Sequence, residues 1–121
     1  MESQSFPEQP GPATGRSVEP LDDQTFDSHL RHATVPVLVE FTAPWCAPCR
    51  ALEPILHELA LEGAGRWSIA KVDGDQHPEL ATRLGIRGFP TLLLVAGGRE
   101  VARQIGLTRK QKLLELLARH G

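Results

Sequence analysis

Sulfur is scarce in this chain, and so is any long run of apolar residues. Its 121 residues include two cysteines, so no second pair exists to complete a structural zinc site. His29, His32, His57, His77 and His120 are scattered without the spacing of paired zinc ligands. Metal binding is therefore disfavoured, and each histidine reads as a surface or helix-flanking side chain. No stretch approaches the roughly 18 uninterrupted apolar residues of a membrane span, and no apolar segment near the start has the form of a secretory leader. The expected compartment is a reducing cytoplasm, where a cysteine pair rests as a dithiol rather than as a structural disulfide. A net charge of −2 leaves no electrostatic footprint for nucleic acid or an anionic membrane.

What is present is ordinary for one soluble domain with a real core: 40% hydrophobic and 23% charged residues. The two cysteines stand three residues apart in Trp45-Cys46-Ala47-Pro48-Cys49, directly after a strand-like apolar run and at the opening of a helix. A thiolate there meets the positive end of the helix dipole and unpaired backbone N–H groups, which favour the charged, nucleophilic form. Cys46 is the expected attacking thiol. Cys49, one turn further in, can close a small ring with it and is the expected resolving thiol. Two unconnected core cysteines would have no reason to bracket Ala47-Pro48 behind a tryptophan.

Residues 1–20 contain Pro7, Pro10, Pro12 and Pro20, with Phe6 the one aromatic, and cannot bury enough surface to offset their ordering entropy. They read as a flexible tail before a domain over residues 21–121. From Leu21 the periodicities alternate. A helix capped by Asp22 or Asp23 runs to about Arg31, with Phe26 and Leu30 on one face. A strand follows over Val37–Thr42, apolar except for Glu40, then a helix from Cys46 to Glu62 with Leu52, Ile55, Leu56 and Leu59 inward and Pro54 inside it. Trp67–Asp73 reads as a strand, His77-Pro78-Glu79 as a helix start closed near Gly85, and Pro90–Val95 as a strand turning at Gly97-Gly98 into Arg99–Ile105. Thr108-x-x-Gln111 matches a capping box before a last helix whose Leu113, Leu116 and Leu117 face inward, with Arg109, Lys110, Lys112 and Arg119 as its solvated face. Strands interleaved with helices predict an α/β sandwich with an antiparallel hairpin on one side. Glu40 is the anomaly, and strand alternation alone also allows a bulge residue facing solvent.

Several motifs follow one another along the chain: Phe41-Thr42-Ala43-Pro44-Trp45-Cys46-Ala47-Pro48-Cys49-Arg50, the helix proline Pro54, Lys71-Val72-Asp73-Gly74-Asp75, Gly85-Ile86-Arg87-Gly88-Phe89-Pro90-Thr91, and Gly106 before the last helix. On these residues the chain from about Leu21 to His120 resembles the thioredoxin family. The resemblance implies an α/β thioredoxin fold, a central mixed sheet flanked by helices on both faces, with a cis peptide bond at Pro90 opposite the cysteines. It implies a redox disulfide between Cys46, the nucleophile, and Cys49, the resolving thiol. It also makes Glu40 the counterpart of a buried aspartate that assists proton transfer at Cys49, with Lys71 as its partner. Trp45, Phe89, Pro90 and Gly106 become the surface on which a substrate strand lies. No metal or bound cofactor is implied. Electrons would come from NADPH through thioredoxin reductase and pass to disulfide-containing client proteins. The chain is expected to be a monomer.

Three residues depart from the family pattern: Ala47 where glycine is commonest, Thr42 where an aromatic is frequent, and Glu40, one methylene longer than the usual acid. For Glu40, burial would raise the pKa while Lys71 would lower it. The leading reading is a cytoplasmic dithiol–disulfide oxidoreductase that reduces protein disulfides. Its non-enzymatic rival is a binding module that grips a partner through Trp45, Phe89, Pro90 and Gly106, with the cysteines as a switch or dispensable. A third reading, an oxidant or isomerase of an oxidising compartment, is opposed by the missing leader.

Overall fold

The strongest apolar runs of the chain become the middle of a five-stranded sheet. The computed structural model describes residues 17–120. Its elements are β1 (Val18–Leu21), α1 (Phe26–His32), β2 (Val37–Thr42), α2 (Ala47–Glu62), β3 (Ser68–Asp73), α3 (Pro78–Arg83), β4 (Thr91–Ala96), β5 (Arg99–Ile105) and α4 (Lys110–His120). The strand order is β1-β3-β2-β4-β5. β1 and β2 lie parallel to β3, and β4 runs antiparallel to both β2 and β5. The sheet is therefore mixed, as expected.

Alternation along β2 divides the core in two. Val37, Val39 and Phe41 face one side, where they pack with Phe26 and Leu30 of α1, Leu80 and Ala81 of α3, and the β4 residues Leu93 and Val95. Leu38 faces the other, with Leu52, Leu56 and Leu59 of α2, Leu113 and Leu117 of α4, and Leu92 and Leu94 of β4. A strand covered on both faces has no solvated side, which is why its sequence is nearly all apolar. Glu40 has the parity of Leu38 and lies on the α2 side. Gly97 and Gly98 both take positive φ, +61° and +78°, as a tight turn between β4 and β5 requires.

Four features differ from those expected. Residues 18–20, assigned to the tail, belong to β1, where Val18 pairs with Ile69 and Leu21 with Val72. Pro20 hid this strand, because proline is compatible only with an edge position such as this one. Residues 1–16, with Phe6, lie outside the described residues. Asp22 caps a turn rather than α1 itself: its Oδ1 accepts from the Gln24 and Thr25 amides at 2.9 Å. α4 starts two residues after Thr108, with the Lys112 amide donating to the Arg109 carbonyl at 3.1 Å, so the expected capping box is not its cap. Lys110 is not a free surface charge, since its Nζ pairs with Glu58 at 3.0 Å and with Glu62, joining α4 to α2.

Candidate active site

The connection from β2 to α2 builds the redox centre. The Cys46 amide donates to the Ala43 carbonyl at 3.1 Å, turning the chain, and Cys46 becomes the N-cap of α2 with φ −91° and ψ 107°. Its Sγ accepts a hydrogen bond from the Cys49 amide at 3.2 Å. Pro48 occupies the first turn, where its missing N–H leaves no bond unmade. Cys46 and Cys49 are joined by a disulfide with Cα atoms 5.3 Å apart. In this oxidised state both are buried, 3% and 1% exposed, so accessibility does not separate them. Position does, because Cys46 stands at the helix end where amides point toward sulfur and stabilise a thiolate.

The loop from α3 to β4 closes over this centre. The Phe89-Pro90 peptide is cis, and Phe89 packs against Ala43, Cys46 and Cys49. Trp45, 65% exposed, meets the Phe89 ring edge-on with centroids 5.8 Å apart. The Gly106 amide donates to the Pro90 carbonyl at 2.8 Å, and Gly106 holds a φ of +88° that side-chain-bearing residues rarely adopt. Thr91 Oγ1 donates to the Gly88 carbonyl at 2.7 Å, fixing the other side of the proline. Thus Cys46, Cys49, Trp45, Phe89, Pro90 and Gly106 are brought together. Three neighbours escaped the sequence reading. Ile105 and Leu107 are large exposed apolar side chains on either side of Gly106. Gly74 lies so close beneath Phe89 that an added Cβ would collide with the ring. The motif around Gly106 signals the first two, whereas only the folded loop reveals the third.

Glu40 is not a bulge residue. It is 1% exposed, pairs in register with Lys71 on β3 and Leu92 on β4, and its Oε2 has no protein hydrogen-bond partner. Burial pushes its carboxyl up to about 7, the negative charge of Glu53 adds to that, and the Lys71 ammonium opposes it. Of the two opposed effects expected from sequence, burial wins. Lys71 is half-buried and forms no ion pair within 4.0 Å of Glu40 among the described residues. Beside it opens a cleft of about 390 Å³ lined by Thr42, Arg50, Glu53, Lys71 and Asp73, among others. Thr42, standing where an aromatic is frequent, is half-buried and pairs in register with Asp73.

The thioredoxin family model matches residues 17–119. The chain belongs to the thioredoxin family. It is 40% identical over 100 residues to thioredoxin 1 of a Nostoc species, an alignment covering 83% of this chain and 94% of that protein. Identity to the thioredoxin of Haemophilus influenzae is 38% over 100 residues, with the same coverage. Among solved structures, a mutant thioredoxin from Halobacterium salinarum NRC-1 superposes with a TM-score of 0.82 at 34% identity, covering 91% of this chain and 96% of the other.

Family, fold and the intact Cys46–Cys49 pair together make this thioredoxin-family chain a thiol–disulfide oxidoreductase with disulfide-reductase activity. Among the described residues no helix is long and apolar enough to cross a membrane. Nor do three or more His, Cys, Asp or Glu side chains converge among them as a metal site would require.

Proposed function

We propose that this chain reduces disulfides of client proteins through Cys46 as nucleophile and Cys49 as resolving thiol, in a reducing cytoplasm. In the first step the Cys46 thiolate attacks one sulfur of the client disulfide. The client S–S bond breaks, its other sulfur leaves as a thiolate, and a mixed disulfide joins client to Cys46. In the second step Cys49 gives its proton to the Glu40 carboxylate and attacks Cys46 Sγ. The bond between Cys46 and the client breaks, and the second client thiolate leaves and takes a proton from water. Two electrons have moved from the dithiol to the client. Two more, drawn from NADPH and delivered by a thioredoxin reductase, restore the dithiol.

The observation that carries these roles is the Cys46 Sγ at the α2 N-cap, accepting the Cys49 amide at 3.2 Å. That bond and the helix dipole favour a thiolate at Cys46 and not at Cys49. Glu40 suits the second step because an acid poised near the working pH can both take and release a proton. Lys71 supplies the countercharge. Trp45, Phe89, Pro90 and Gly106 form the surface that receives an extended client segment, with Ile105 and Leu107 enlarging its apolar area. The domain is proposed to act as a monomer.

Trapping tests the assignment. The Cys49→Ser variant should accumulate mixed disulfides with client proteins on non-reducing gels, and Cys46→Ser almost none. Equal trapping by both variants would reverse or abolish the division of roles.

A further inference from the structure

The reading of Glu40 as the acceptor of the Cys49 proton leaves a second carboxylate unexplained. Glu53 follows Cys49 by four residues on α2, one helical turn on the same side of the helix. It is exposed and lines the cleft beside the site together with Lys71, the register partner of Glu40. A buried carboxylate on β2 and a solvent-facing carboxylate on α2 thus have Lys71 as a common neighbour, the first by strand register and the second through the cleft.

The surrounding charges leave this group of three intact. From α2, Arg50, which also lines the cleft, donates from Nη1 to the Pro44 carbonyl at 2.9 Å. From β3, Asp73 spends its Oδ1 on the Asp75 and Gln76 amides, both at 3.0 Å. Beyond β3, His77 lies 3.9 Å from Asp23. β4 offers Leu92 and α4 offers leucines. Lys71 forms no ion pair within 4.0 Å with either Glu40 or Glu53 among the described residues, so neither carboxylate captures it. Glu40 Oε2 has no protein hydrogen-bond partner to fix its charge state locally. Its protonation is therefore governed by burial and by the field of these two neighbours.

We propose that Glu53 is a positioning residue of the redox reaction: its carboxylate, in the same cleft as Lys71, offsets that ammonium and so strengthens the buried Glu40 as acceptor of the Cys49 proton. With Lys71 unopposed, Glu40 would hold a proton less tightly and be a weaker acceptor of the one Cys49 gives up. With Glu53 present, it holds that proton more tightly. The charge of Glu53 does add to burial in raising the Glu40 carboxyl.

The experiment is a carbon-13 titration of the Glu40 side-chain carboxyl in the full, oxidised chain, beside the pH profile of mixed-disulfide resolution by stopped flow. Glu53→Gln should lower the Glu40 midpoint on the order of half a pH unit, and the kinetic inflection should move with it. Glu53→Asp, which keeps the charge, should return both toward wild type. Glu40→Gln should erase the inflection. Midpoints unmoved by Glu53→Gln, with the inflection still lost in Glu40→Gln, would overturn the role of Glu53 and leave that of Glu40 standing. An inflection that survives Glu40→Gln would overturn both. Urea unfolding of Glu53→Gln at neutral pH accompanies the titration, and a shift of the Glu40 midpoint accompanied by loss of the folded baseline counts against the proposal.

Discussion

Glu40→Gln turns a buried, titrating carboxyl into a neutral amide of nearly the same shape, and its effect on stability can be worked out before it is measured. In the unfolded chain the carboxyl titrates near 4.5, and in the native protein near 7. Between those values the native state binds a proton that the unfolded state has released, so stability falls as pH rises through this window and levels off above it. At about 1.36 kcal/mol per pH unit, the interval from 4.5 to about 7 amounts to roughly 3 kcal/mol of native stability lost by neutral pH. The glutamine variant carries no such loss. Its buried amide brings its own penalty, about 1–3 kcal/mol if unpaired, but that penalty does not vary with pH. The informative quantity is therefore the difference between the two stability curves. Urea unfolding of the oxidised wild type and variant from pH 4 to 8 should show the variant gaining about 3 kcal/mol relative to wild type across the range, mostly between pH 5 and 7. The titration of the histidines and of surface acids cancels in that difference. Parallel curves would refute the reasoning, because they would mean that Glu40 has the same proton affinity folded and unfolded.

Two further perturbations probe the scaffold around the site. Deleting residues 1–21 should lower stability relative to deleting residues 1–16 by roughly 2 kcal/mol or more, the burial energy of one leucine, because it removes Leu21 from the core and β1 from the edge of β3; equal urea midpoints would refute this. Arg103 donates to the Leu84 carbonyl at 2.8 Å and the Gly85 carbonyl at 3.3 Å while Glu100 accepts its Nε at 2.7 Å, so Arg103→Ala should cost about 1 kcal/mol in a urea titration; an unchanged midpoint would mean that solvent replaces the guanidinium at both carbonyls.

What could be read in the sequence follows from how far each signal reaches along the chain. The cysteine pair, its helix N-terminus and the flanking tryptophan are local, and they fold as they read. The β2 run is legible because a strand covered on both sides has an apolar residue at nearly every position. β1 was not legible: four residues with a proline among them carry neither a period nor a length, and only the exposed edge of β3 makes them a strand. The orientation of Glu40 was half legible. Alternation puts it opposite Val39 and Phe41, but which face lies beneath α2 depends on how the helix crosses over. Glu53 could not be singled out from sequence at all. Its spacing from Cys49 gains meaning only when β3 lies beside β2 in the register that sets Lys71 against Glu40, a contact across many intervening residues.

The same register bears on why a charged residue sits in a layer that is otherwise apolar. Leu38, Ile69, Leu92, Leu52 and Leu56 surround the α2 face of the sheet, and a leucine at position 40 would remove an unpartnered oxygen and a pH-dependent loss of roughly 3 kcal/mol. A purely structural role therefore predicts no acid there. A proton acceptor must lie on the helix side of the sheet, on the strand that leads into the cysteine turn, and titrate near the pH at which the thiols work. Of these requirements, burial supplies the third, β2 supplies the second, and the parity of residue 40 supplies the first. The acid is thus destabilising and chemically suited for one and the same reason. Any substitution that changes the first property, relieving it at Glu40 or Glu53 or deepening it at Lys71, should be visible in the second.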